Sequence, residues 1–133
     1  MGDAENEQWA LESLASVATN EGRHRDALPM LGEAYRLASD SGDPAAVDAN
    51  LVRFGNALAF AGKSDAAVRV LALANAIHGE LGWTYERWFA AIREEAMEAA
   101  RAELDDAAFN EAWTEGRRMT ADRAVALALD ALD

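Results

Sequence analysis

The chain repeats its own pattern at the interval that separates Gly22 from Gly62. The stretch "EGRHRDALPMLGEA", which starts at Glu21, aligns with "AGKSDAAVRVLALA", which starts at Ala61. Five positions in these stretches agree in size and polarity, and four more agree upstream in the same register, between Leu11 and Ala18. Such a period indicates a domain built by stacking similar units, because one unit alone cannot bury its apolar face.

Each unit has the pattern of two helices joined by a tight turn. The first helix of the first unit carries apolar residues at the three-and-four spacing of a single helix face. Gly22 then permits the left-handed backbone that ends a helix, and a second apolar stripe follows. The two stripes are Leu11, Leu14, Ala15 and Ala18, and then Ala27, Leu28, Leu31 and Ala34. Each unit is therefore predicted to be a helical hairpin.

Composition favours an all-α fold. Alanine, the strongest helix former, occupies 32 positions, whereas Val, Ile and Thr together occupy 12. Helices are predicted at 7–20, 25–40, 44–61, 64–80, 84–102, 105–116 and 120–132, with Asp43, Ser64, Thr84 and Thr120 as caps. The chain is predicted to be one domain, 1–133, with repeat units at about 7–40, 44–80 and 84–116 and a capping helix at 120–132.

The charge of the chain limits the kinds of partner it can have. Twelve basic residues stand against 24 acidic ones, which gives a net charge of −12. Phosphate backbones and anionic lipid surfaces would be repelled by this potential, so no direct nucleic-acid or membrane binding is expected. The chain has no cysteine, no signal-peptide pattern and no long apolar run, which together favour a cytoplasmic protein.

No arrangement of residues in the sequence predicts catalysis. His24 and His78 are the only histidines, and neither has a second ligand at metal-binding spacing. Glu94, Glu95 and Glu98 are typical of a solvated helical charge ladder. A phosphate-binding glycine loop and a cysteine nucleophile are both missing. The sequence therefore predicts no enzyme, no catalytic residue, no cofactor and no metal site.

Two resemblances follow from the residues. Over one hairpin the order Leu, Leu, small, Ala, Gly, Ala, Leu, Ala is similar to the tetratricopeptide repeat. That family has a shorter period, about 34 residues, and its signature Trp, Tyr and Pro are mostly unmatched. The region from "RVLALANAIHGELGWTYERWF" to "GRRMTADRAVALALDAL" resembles the C-terminal end of LuxR-type transcriptional regulators and signal-transduction ATPases. The matching positions are Phe109, Ala112, Trp113, Gly116, Arg117, Thr120, Ala124 and Val125.

These resemblances imply both a fold and a function. The fold is a tetratricopeptide-like right-handed solenoid of about three helical hairpins plus a closing C-terminal helix. The function is a non-catalytic protein-interaction and regulatory module, the C-terminal part of a larger bacterial regulator. Its partners would be a protein or peptide, including other domains of that regulator. Two alternatives stay open: a small-molecule inducer sensor with its ligand in the superhelical groove, and a homodimeric scaffold.

The groove residues are predicted from the way such arrays stack, because the first helix of each unit lines the concave face. They are Glu12, Ser16, Asn20, Val52, Asn56, Phe60, Arg93 and Met97. Phe60 is the predicted anchor and Asn56 the predicted hydrogen-bonding group, and their replacement by Ala is expected to weaken binding without loss of stability. Trp83 and Trp88 are a second candidate, either a binding hot spot or packing beneath a long turn.

Overall fold

The structure, a computed structural model, describes residues 2–131, with side chains from residue 3 onward. Within this range the backbone forms seven α-helices and no strand, which confirms the predicted all-α class. The helices are α1 (Gly2–Asn20), α2 (His24–Ser41), α3 (Pro44–Phe60), α4 (Ser64–Leu81), α5 (Arg87–Ala102), α6 (Asp106–Gly116) and α7 (Ala121–Asp130). The predicted last boundary, at residue 132, lies outside the described residues. None of these helices is long and apolar enough to cross a membrane.

Two of the four predicted helix caps are present. The Asp43 side chain accepts a hydrogen bond from the backbone N–H of Ala45 at 3.0 Å, and the Thr120 hydroxyl accepts one from the backbone N–H of Arg123 at 3.3 Å. Ser64 is the first residue of α4 and not its cap. Thr84 lies in the extended segment before α5, which begins at residue 87 and not at the predicted 84.

The sequence repeat is visible in the backbone. The first two hairpins are α1–α2 and α3–α4, and both helices of the second hairpin end at the same repeat position as their counterparts in the first. Gly22 and Gly62 make the turns inside the hairpins with φ of +78° and +81°. Gly42 and Gly82 end the second helices with φ of +73° and +72°. Glycine stands at these four positions because a residue with a Cβ is strained in the left-handed region.

Helix α3 lies at the centre of the molecule. It contacts α1, α2, α4, α5 and α7, and ten of its residues are buried. Leu51, Phe54 and Leu58 have no exposed surface, and Leu71 of α4 packs directly over the backbone of Gly55. This central position explains why α3 carries so few charged residues, since an unpaired buried charge is costly.

The last two helices fold back over the repeats. Helix α6 crosses α4 so closely that no Cβ would fit between Gly116 and the backbone of Arg69. Helix α7 contacts α2, α3 and α4, and Leu129 packs over Gly32 of α2. The hydroxyl of Tyr35, on α2, donates a hydrogen bond to a carboxylate of α7 at 2.6 Å. Here the molecule departs from an open array, in which each unit contacts only its neighbours.

The two tyrosines of the chain are expected to titrate abnormally. Burial, and then the Asp122 carboxylate that accepts its hydrogen bond, raise the pKa of Tyr35 to about 12. Burial, followed by the carboxylate of Asp48, also raises the pKa of Tyr85. We expect the native protein to show almost no tyrosinate absorbance at about pH 10, whereas the urea-unfolded chain is about half ionised there. Substantial ionisation of the native protein at that pH would contradict these pKa shifts.

The stability that Tyr35 contributes should follow the same titration. Because its folded pKa is raised, its contribution is present below the unfolded pKa of 10.0 and is lost as the pH rises through about 12. In Asp122→Asn the pKa of Tyr35 is expected to fall only part of the way, because burial is the larger cause of the shift.

Candidate binding cleft

A cleft lies on the surface of α3 between α1 and α5. Its volume is about 240 Å³. Its wall residues are Ala15, Ser16, Thr19 and Asn20 of α1, Leu31 of α2, Arg53, Asn56 and Phe60 of α3, and Trp88, Phe89 and Ile92 of α5. Helices α1 and α3 are the first helices of the two hairpins, Leu31 is the one wall residue from a second helix, and α5 supplies the remaining wall. The cleft therefore includes the faces of α1 and α3 on which the sequence predicts a groove.

Asn56 is the most deeply buried of the polar residues that line this cleft. Only 6% of its surface is exposed, and among the described residues its Oδ1 has no hydrogen-bond partner. Leaving a buried amide oxygen unpaired costs about 1–3 kcal/mol. Turning the amide over exchanges its oxygen and nitrogen, so either end can be directed toward a group that enters the cleft.

Aromatic side chains form the wall opposite α1. The rings of Trp88 and Phe89 meet edge to face with centroids 5.6 Å apart, and Trp88 is 56% exposed. The guanidinium of Arg53 lies 4.9 Å from the centroid of the Phe89 ring, within the range of a cation–π contact. Phe60 completes the lining at the end of α3. The cleft is therefore an apolar slot with one unsatisfied amide in its wall.

Five of the ten predicted site residues meet in this cleft: Ser16, Asn20, Asn56, Phe60 and Trp88. Two others that were predicted to line it are inside the protein. Val52 has no exposed surface, because it belongs to the hydrophobic core. Glu12 is 7% exposed and accepts a hydrogen bond from the Nδ2 of Asn50 at 3.3 Å. It also lies 3.9 Å from Arg53.

Arg93 and Met97 line a different cleft, between α5 and α6, together with Phe109 and Trp113. The prediction placed them in the first cleft because it began the third unit at residue 84. In the structure α5 begins at residue 87, and the residues that it contributes to the first cleft are Trp88, Phe89 and Ile92.

Trp83 is separated from Trp88 and belongs to a buried hydrogen-bonded cluster around Asp48. The Asp48 carboxylate has no exposed surface. It accepts hydrogen bonds from the Trp83 indole at 3.1 Å and from the Tyr85 hydroxyl at 2.6 Å, and Nδ1 of His78 lies 2.9 Å away. The His78 and Tyr85 rings stack with centroids 3.9 Å apart. This cluster fixes the extended segment before α5 onto α3 and α4.

Burial raises the pKa of the Asp48 carboxyl, and the hydrogen bonds from Tyr85, His78 and Trp83 partly offset that rise. No sequence pattern indicates this cluster, because Asp48 is 30 to 37 residues away from its three partners. Among the residues that the structure describes, no three His, Asp or Glu side chains are placed to hold a metal ion. The polar groups of the cluster therefore satisfy one another and hold a loop in place.

Comparison with known proteins adds no assignment to this geometry. No family model matches the chain, and no curated protein or solved structure matches it either.

Proposed function

We propose that this chain is a non-catalytic protein-interaction module that binds a segment of a partner polypeptide in the cleft between α1, α3 and α5. The observation that carries the proposal is Asn56, a nearly buried amide whose oxygen lacks a partner, among the described residues, in the wall of an aromatic slot. A peptide supplies both an apolar side chain for the slot and backbone N–H and C=O groups for the amide.

The size of the cleft favours a peptide over a free small molecule. Small-molecule sites usually enclose about 300–1,000 Å³, and this cleft has about 240 Å³. That space suits one large side chain with the rest of its segment lying across the surface. A small inducer remains the second candidate, because a cleft lined by aromatic side chains and a few polar groups also suits a compact aromatic ligand.

The proposal extends to the setting in which the module works. We propose a degenerate tetratricopeptide-like array that regulates a larger bacterial protein of the LuxR or signal-transduction ATPase type, in the cytoplasm. Support comes from the two successive hairpins of one repeat pattern and from the sequence resemblance at the C-terminal end. The net charge of −12 favours a protein partner over nucleic acid, because it repels phosphate.

Trp88 provides the sharpest test of the cleft. Peptides selected on the intact chain from a random displayed library serve as probes, with binding measured by calorimetry. In Trp88→Ala we expect affinity to fall about tenfold or more, about 1.4 kcal/mol. Thermal stability should change by less than about 0.5 kcal/mol, because the side chain is 56% exposed.

Trp9 supplies the matched control. It is 71% exposed and is not among the cleft residues, so Trp9→Ala should bind the same peptides unchanged. Equal loss in both variants would contradict the proposal. Two small probes separate the candidates: N-acetyltryptophanamide carries an indole ring and peptide groups, whereas indole carries the ring alone. If NMR maps both to the cleft and indole binds as tightly, the small-molecule candidate is favoured.

Because Asn56 and Phe60 are packed in the protein, their replacement by Ala is expected to reduce stability. The sequence pattern predicts almost no change in stability, but Asn56 is buried and Phe60 packs against the core. Alanine at either position is therefore expected to weaken folding as well as binding. For this reason the exposed Trp88 is the better residue for separating the two effects.

A further inference from the structure

Helix α1 carries an exposed apolar stripe on the side away from the core. Leu14 is 56% exposed and Val17 is 51% exposed, and Ala10 continues the stripe one turn earlier. Leu14 was predicted to face the inside of its own hairpin, and the structure shows that it does not. Large aliphatic side chains in a row on one helix face usually mark a surface that packs against something.

The equivalent stripe of the second repeat unit, on α3, is buried. The residues of α3 at the equivalent repeat positions are Asn50, Phe54 and Ala57, and none of them has any exposed surface. The two helices are equivalent, since α1 and α3 end at the same repeat position and are followed by the same glycine turn. The same face of the first helix is therefore buried in the second unit and exposed in the first.

The covering element is the preceding hairpin. The Asn50 Nδ2 donates to the Glu12 carboxylate of α1 at 3.3 Å and to the backbone carbonyl of Leu31 of α2 at 3.2 Å. Asn50 thus faces the α1–α2 pair, and Phe54 and Ala57 continue the same face of α3 at four and seven residues further on. By the same geometry, the stripe of α1 faces the place that a hairpin before it would occupy.

We propose that the outer face of α1 is a docking surface for a further helical hairpin of the same repeat type, packed ahead of α1 as α1–α2 is packed ahead of α3. This hairpin covers Leu14 and Val17 of α1 in the way that the α1–α2 hairpin covers the equivalent residues of α3, Phe54 and Ala57. This surface is distinct from the peptide cleft, which α1 lines with other residues. A second copy of the chain is disfavoured because each copy carries a net charge of −12.

The test extends the full chain by one unit. A duplicate of residues 4–43 is inserted directly before residue 4. The new hairpin then leads into α1 through the same linker, residues 42–43, by which the first hairpin leads into α3. The chain contains no cysteine, so Leu14→Cys, placed in the original copy, reports access to a thiol reagent. We expect its reaction to be about 100-fold slower in the extended protein, as for a site reached only by local opening.

Controls separate docking from other effects. Asp40 of α2 is exposed, as is Glu80 at the equivalent position of α4, so Asp40→Cys should react equally fast in both proteins. Ala57→Cys should be protected in both, because Ala57 is buried. Ala10→Asn in the original copy supplies the amide that Asn50 provides to Glu12, and it should raise the Tm of the extended protein only. Equal reactivity of Leu14→Cys in both proteins would overturn the proposal. Protection that grows with concentration of the unextended chain would also overturn it, because a second copy would then be the occupant.

Discussion

Replacing Gly116 by alanine is expected to lower the free energy of unfolding by about 3 kcal/mol and the Tm by about 10 °C. A Cβ at this position would overlap the backbone oxygen of Arg69 and would lie 2.7 Å from its Cα. Neither atom can move aside without shifting α4, so α6 must separate from the helix on which it packs. Urea unfolding followed by circular dichroism measures the loss.

Gly79 gives a matched control for the same substitution. It lies inside α4, and a Cβ there meets no atom within 4 Å. Alanine should therefore stabilise the helix by about 0.5–1 kcal/mol. If Gly116→Ala proved as stable as Gly79→Ala, the close crossing of α6 over α4 would be wrong.

The second large effect is expected at Asp48. In Asp48→Ala the Trp83 indole and the Tyr85 hydroxyl lose their acceptor, and a small cavity opens in the core beside α3. We expect the free energy of unfolding to fall by about 3 kcal/mol, because buried donors without partners carry their full desolvation cost. The fluorescence of Trp83 should also shift to longer wavelength as the segment before α5 loosens.

Asp65 is the matched aspartate for this experiment. It pairs with Arg69 at 2.8 Å on the surface of α4, with its side chain 55% exposed. Exposed ion pairs contribute about 0–1 kcal/mol, so Asp65→Ala should unfold almost as the parent does. A similar decrease in the free energy of unfolding in both variants would show that the Asp48 cluster does not hold the segment before α5 in place.

The sequence predicted those parts of the fold that depend on neighbouring residues. The helical class and the turns at Gly22 and Gly62 follow from alanine content, apolar spacing and glycine, all of which act within a few residues. The helices of the first two hairpins were therefore predicted close to their observed bounds. The return of α7 onto α2 was not predicted, because nothing local specifies a contact such as that of Tyr35 with Asp122.

The same distinction applies to the candidate cleft. Asn56 and Phe60 lie in it together, and both belong to the regular repeat. The residues of α5 were misplaced because Asp48 holds Trp83 and Tyr85 in an extended segment and delays the start of the helix. A contact across 35 residues thus decided which side chains of α5 face the cleft, and no helical period records such a contact.

The position of α7 has a consequence for how the molecule opens. In a linear array the terminal units fray first, and their backbone amides exchange with solvent much faster than those in the middle. Here the last described helix is fastened to α2 through Leu129 and Gly32 and through the Tyr35–Asp122 hydrogen bond. Opening the first hairpin must therefore also break contacts of α7, so the amides of α2 should exchange more slowly than those of an end unit in a linear array.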